Sequence, residues 1–112
     1  MISIHKVLLA LLVLVLPWSL TWGQDKQYMA KQIAPTGVLR VVINLGNPIL
    51  ARQESPASQP TGVSVDLAQA LAKRLNLPLT LIPVTSAAQS VAAVTRGDAD
   101  IGFFAIDPIR GQ

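Results

Sequence analysis

The chain has 112 residues, room for one ordinary domain. It has no cysteine, which excludes disulfides, thiolate metal sites and lipid attachment through an N-terminal Cys. Its net charge of +3 is a small excess, not a basic stripe, and aromatics are only 4%, so neither a phosphate-tracking surface nor a base-stacking platform is in view.

Apolar residues make up 51% of the chain and are unevenly spread. Residues 7–16 (VLLALLVLVL) are an unbroken apolar run of ten, preceded by His5 and Lys6 and broken by Pro17. Thr21-Trp22-Gly23 then places small residues three and one before the bond to Gln24. A charged start, an apolar centre and a small-x-small site in that order predict a signal peptide over 1–23, cleaved between Gly23 and Gln24. The competing reading is a retained anchor, but a span needs about 20 apolar residues and this run is half that. On the signal-peptide reading the membrane is met only through this segment. Its removal takes away Lys6 and leaves eight basic against six acidic residues.

Residues 24–37 are polar, end in Pro35-Thr36-Gly37 and read as a lead-in, with one or two helical turns available from Tyr28 to Ile33. Leu39–Asn44 (LRVVIN) is a β-branched run and predicts the first strand, stopped by Gly46-Asn47-Pro48. Residues 51–61 (ARQESPASQPT) read as an exposed Pro/Ser/Gln loop. Ser64 is then placed to cap a helix whose Leu67, Ala70, Leu71 and Leu75 recur at helical spacing. Asp66 falls in its first turn and Lys73 and Arg74 in its last, as the helix dipole favours, and Asn76 and Pro78 end it.

Leu79–Val84 (LTLIPV) predicts a second strand. Its Pro83 cannot donate to a ladder and points to an edge or a strand end. Ser86-Ala87-Ala88-Gln89 fits the capping-box pattern and opens a second helix, with Ala87, Val91 and Val94 on one face and Gly97 as the stop. Asp98 and Asp100 read as turn and strand-entry residues rather than a carboxylate pair. Ile101–Ile106 (IGFFAI) is apolar without alternation and predicts a third strand covered on both faces.

The order β-α-β-α-β predicts an α/β fold, a doubly wound parallel sheet of strand order 2-1-3 with helices on its faces. Ligands of such sheets sit beyond the carboxyl ends of the strands at the switch point. Here that point lies between Asn44–Pro48, after the first strand, and Ala105–Arg110, after the third.

Three stretches carry a family likeness: GVLRVVINLGNP, TGVSVDLAQALAKRLNLPLTLIPV and AAVTRGDADIGFFAIDPIR. In this order and spacing they resemble the first lobe of a family 3 periplasmic solute-binding protein, over about residues 37–112. The resemblance makes residues 38–112 an incomplete N-terminal lobe of a type II periplasmic binding protein-like fold. It implies a hinged two-lobed receptor that captures a small polar solute, often an amino acid, and hands it to an ABC permease. No cofactor, metal or nucleic acid is implied. In that family an arginine just past strand 3 clamps the ligand carboxylate, and Arg110 stands at that place; a guanidinium forks onto a carboxylate through two parallel hydrogen bonds. Asp107 stands where the family usually has Thr, and Phe103 and Ala105 where amino-acid binders often have Ser or Gly. Asn44 and Asn47 replace a frequent Asp and aromatic residue. The expected ligand-binding set is therefore Arg110, Asp107, Ala105, Asn44 and Asn47, for a carboxylate-bearing solute.

Two other functions use similar lobes: the extracellular part of signalling proteins, and periplasmic dehydratases. The second is disfavoured because Glu54 is the only glutamate and no histidine follows His5, leaving few groups for acid–base work.

Overall fold

The computed structural model describes residues 23–106, 108 and 109. The segment 1–22, Asp107 and Arg110 therefore lie outside the described residues, and with them most of the expected signal peptide.

Strand β1 (Leu39–Asn44) is the centre of a three-stranded parallel sheet of order β2-β1-β3, with β2 at Leu79–Val84 and β3 at Ile101–Gly102. The doubly wound 2-1-3 arrangement expected from the sequence is the one observed. Helix α1 occupies residues 23–33, α2 Val63–Leu75 and α3 Ala87–Thr95. The lead-in is thus more helical than its polar composition suggested. Ala30, Ile33 and Ala34 account for the difference: Ala30 and Ala34 are buried, and Ile33 packs against the same cluster as α2.

Alternation along β1 builds the two faces of the sheet. Leu39, Val41 and Ile43, none of them solvent-exposed, point to one side, where they meet Val65, Ala68 and Ala72 of α2. Val42 points to the other, where it packs with Ala93 of α3 and Ala99. Successive side chains of a strand take opposite faces, so a run apolar at 39, 41, 42 and 43 needs a helix on each side.

The inward faces of both helices differ from those read by spacing. In α2 the buried residues are Ser64, Val65, Ala68, Ala72 and Leu75, while Leu67 is 52% exposed. Ser64 is not the cap. Gly62 precedes the helix at φ 123°, and a Cβ there would lie 2.6 Å from the Leu50 carbonyl oxygen. Only glycine fits that approach, so the helix begins two residues earlier and Ser64, its N–H donating to Leu50 O, turns inward. In α3 the buried residues are Ser90 and Ala93, and Val91 faces out. Small side chains let these helices sit close to the sheet, and the larger Leu67 and Val91 are left outside.

The helix ends follow local chemistry. The Ser86 hydroxyl accepts from the Gln89 N–H (3.2 Å), and Gln89 Oε1 accepts from the Thr85 N–H (2.8 Å), one residue before the usual capping-box partner. Both C-termini close with paired 6→1 and 5→2 bonds around a left-handed residue. At α2 these are Leu77 N–H to Ala72 O and Asn76 N–H to Lys73 O, with Asn76 at φ 55°. At α3 they are Asp98 N–H to Ala93 O and Gly97 N–H to Val94 O, with Gly97 at φ 78°.

Strand β2 pairs with β1 over six residues, Leu39↔Leu79 to Asn44↔Val84, and is an edge, so Pro83 costs no ladder bond on its outer side. Strand β3 is much shorter than the six-residue run expected. It pairs only through Val41↔Ile101 and Val42↔Gly102. From Phe104 to Ile106 the chain is exposed, Ile106 fully so. An apolar run becomes a covered strand where its faces are buried, and Phe104–Ile106 are exposed.

Candidate functional site

The carboxyl ends of β1 and β2 are tied together into a firm rim. The Leu45 N–H donates to Val84 O at 2.8 Å. Gly46 then packs so closely on the β2–α3 turn that a Cβ there would sit 2.5 Å from the Thr85 carbonyl oxygen. Any other residue at 46 has to move that turn.

Asn44 and Asn47, both expected at the site, are part of this rim. Asn44 Oδ1 accepts from the Gly46 N–H (2.8 Å), and Asn47 Oδ1 from the Ile49 N–H (3.2 Å). Each carboxamide oxygen thus bonds the backbone two residues on, a turn-forming use of Asn. Both side chains are half-buried. Ala105 is exposed on the segment that follows β3, on the other flank of the switch point. Phe103 is half-buried and joins the edge of the core, while Phe104 is 38% exposed with its ring against Gly102. The structure brings Asn44 and Asn47 together in one loop. Arg110, the expected clamp, and Asp107 lie outside the described residues.

Two features of the charged groups escaped the sequence reading. The first is a pair that joins β1 to the entry of β3. Asp100 Oδ1 accepts from Arg40 Nη2 at 2.8 Å, and its Oδ2 accepts from Arg40 Nε at 3.3 Å and from the Arg40 N–H at 2.8 Å. The Asp100 N–H donates in return to Arg40 O at 2.8 Å. The carboxylate is 3% exposed and the arginine 26%. Burial pushes the Asp100 carboxyl upward, but the hydrogen bonds and charge of Arg40 outweigh it and hold the group below its ordinary value of 3.8. Asp98 pairs separately with the exposed Arg96 at 3.1 Å. Asp98 and Asp100 are thus bound to different arginines, in keeping with their reading as turn and strand-entry residues.

The second feature is the 51–61 loop, exposed as expected but folded on itself. Arg52 and Thr61 exchange two backbone bonds of 2.8 Å, Gln53 Nε2 donates to Ser58 O at 2.8 Å, and the Ser58 hydroxyl donates to Ser55 O at 2.8 Å. Between this loop and the end of β1 lies an open hollow of about 600 Å³, lined by Leu45, Pro48, Arg52 and Glu54 among others. Composition marks such a segment as a loop and carries no signal of the bonds that close it.

No group of three or more His, Cys, Asp or Glu among the described residues could hold a metal ion. No helix among the described residues is long and apolar enough to cross a membrane.

Residues 39–111 match the profile of the bacterial extracellular solute-binding proteins, family 3. The chain belongs to that family. Its fold also matches solved structures. One is an ancestral cationic amino acid solute-binding protein, 28% identical, with a TM-score of 0.60 over 74% of this chain and 36% of that one. Another is an ancestral cyclohexadienyl dehydratase, 26% identical, with a TM-score of 0.58 over 71% of this chain and 33% of that one. The family 3 chain described here therefore spans about a third of the length of these structures. Comparison with curated proteins returned no match. The family is named for solute binding, one of the similar structures is named for an enzyme, and the fold alone does not separate the two.

Proposed function

We propose that the chain is the N-terminal lobe of an exported, periplasmic receptor for a small carboxylate-bearing solute of the amino-acid kind, acting with an ABC permease. The observation that carries this reading is the family match over 39–111 on a parallel sheet of order β2-β1-β3. Residues 1–23 serve as the signal peptide. Arg110 forks onto the solute carboxylate, with Asp107, Ala105 and the Asn44–Asn47 turn forming the wall around it. This lobe supplies one wall of the cleft, and residues outside this chain supply the other. A solute on a single wall keeps most of its water, and an exposed ion pair is worth about 0–1 kcal/mol. Binding to the 112-residue chain by itself is accordingly weak.

The test is calorimetric titration of the chain with a panel of amino acids and simple carboxylates. Weak binding of carboxylate solutes, lost in Arg110→Ala with the fold unchanged by circular dichroism, is the expected result. Submicromolar binding to the single lobe, or affinity untouched by Arg110→Ala, overturns the reading.

The similarity to a dehydratase supports a second reading, an enzyme acting on a cyclic carboxylic acid. It suits this sequence less well, since Glu54 is its one glutamate and sits on a loop tip. Turnover of a cyclohexadienyl compound by the protein, followed by the gain of aromatic ultraviolet absorbance as water is lost, decides for that reading.

A further inference from the structure

The hollow between β1 and the 51–61 loop carries two charged side chains that neither the clamp nor the core uses. It opens at the end of β1, with Leu45 and Pro48 in its lining, and is a shallow surface hollow of about 600 Å³. Arg52 is held in place: its Nε donates to Pro48 O at 3.1 Å, which anchors the guanidinium to the β1 turn. Glu54 also lines the hollow, is exposed, and forms no ion pair among the described residues. The loop that presents both is closed by the Arg52–Thr61 bonds and the Gln53 and Ser55 bonds to Ser58, so little order is lost when a ligand binds.

We propose that this hollow is an outer subsite for a zwitterionic solute, whose carboxylate meets Arg52 and whose ammonium meets Glu54. The proposal rests on the amino-acid reading of the solute and adds a place, apart from Arg110, that asks for both charges at once. A fixed cation and an unpaired carboxylate in one open hollow complement a molecule carrying both signs. They favour neither a plain anion nor a plain cation, because each of these meets one like charge. Sequence spacing offered no pointer to it, since Arg52 and Glu54 matter only once the loop has folded back on the end of β1.

The experiment is an amide NMR titration of the ¹⁵N-labelled protein with glycine, with acetate and methylammonium as single-charge controls, at up to hundreds of millimolar. Glycine is expected to shift the amides of residues 52–55 more than either control. Glu54→Gln, whose side chain supports no contact of the fold, is expected to weaken that response about threefold, the size of one exposed charge pair. Glycine shifts no larger than those of both controls, or unchanged in Glu54→Gln, overturn the subsite. Shifts confined to 44–47 and 103–106 sink the subsite and leave the clamp reading standing, whereas no response at either place to any of the three sinks both.

Discussion

The two sides of β1 are built from similar residues and end up differently. Toward β2 the pairing is six residues long, extended at both ends by Leu39 N–H to Pro78 O and Leu45 N–H to Val84 O. Toward β3 it is two residues long, and the apolar run continues past it into solvent. LTLIPV and IGFFAI are equally strand-like in composition, the first even interrupted by proline. What separates them is burial. Leu79, Leu81, Ile82 and Val84 of β2 are half-buried, and the 56–60 loop joins β2 in lining a hollow of about 470 Å³, whereas Phe104–Ile106 are exposed. A sheet edge with exposed apolar side chains invites another chain.

Substitutions sharpen this contrast, and the largest effect belongs to the shared strand. Ile43→Ala removes a fully buried side chain from the α2 face and is expected to cost about 3 kcal/mol in urea unfolding, enough to unfold a marginal lobe. Next comes the tie that holds β3 at all. Asp100→Asn leaves shape but removes the charge facing Arg40, an expected loss of about 2 kcal/mol. Because the Asp100 carboxyl is held below its ordinary 3.8, its contribution is fully present above that value and is lost as pH falls through the lower folded value. The gap between wild type and Asp100→Asn is therefore constant at neutral pH and closes in acid; a gap that widens in acid contradicts the pairing. The smallest effect on stability belongs to the open side. Ile106→Ser leaves unfolding within about 0.5 kcal/mol of wild type, since that side chain is fully exposed, but lowers self-association measured by light scattering. A large destabilisation instead means that Ile106 is covered in solution.

The elements with strong local chemistry were legible in the sequence. The β1 and β2 runs, the Ser86 cap, the Gly97 stop, and the Asn76 end of α2 all fall where residue type alone puts them. The helix faces were not, because hydrophobic spacing favours the large Leu67 and Val91 while the sheet accepts the small Ala68, Ala72, Ser90 and Ala93. The length of β3 was not either, because its fate depends on a neighbour and not on its own side chains. Of the candidate site, Asn44 ends β1 and Asn47 sits in the turn that follows, and the carboxamide oxygen of each accepts a backbone bond there. The Arg40–Asp100 pair joins residues 60 apart, a separation that no local pattern reports.

The central claim is that the solute meets the lobe at the carboxyl ends of β1 and β3. Native-state amide hydrogen exchange, with and without a millimolar carboxylate solute, tests it most directly. The account predicts that the β1–β2 amides are well protected in both states, and that solute slows exchange at residues 44–47 and 103–106 and leaves the opposite end of the sheet unchanged. Slowing at the opposite end of the sheet, around Leu39 and Leu79, would contradict it.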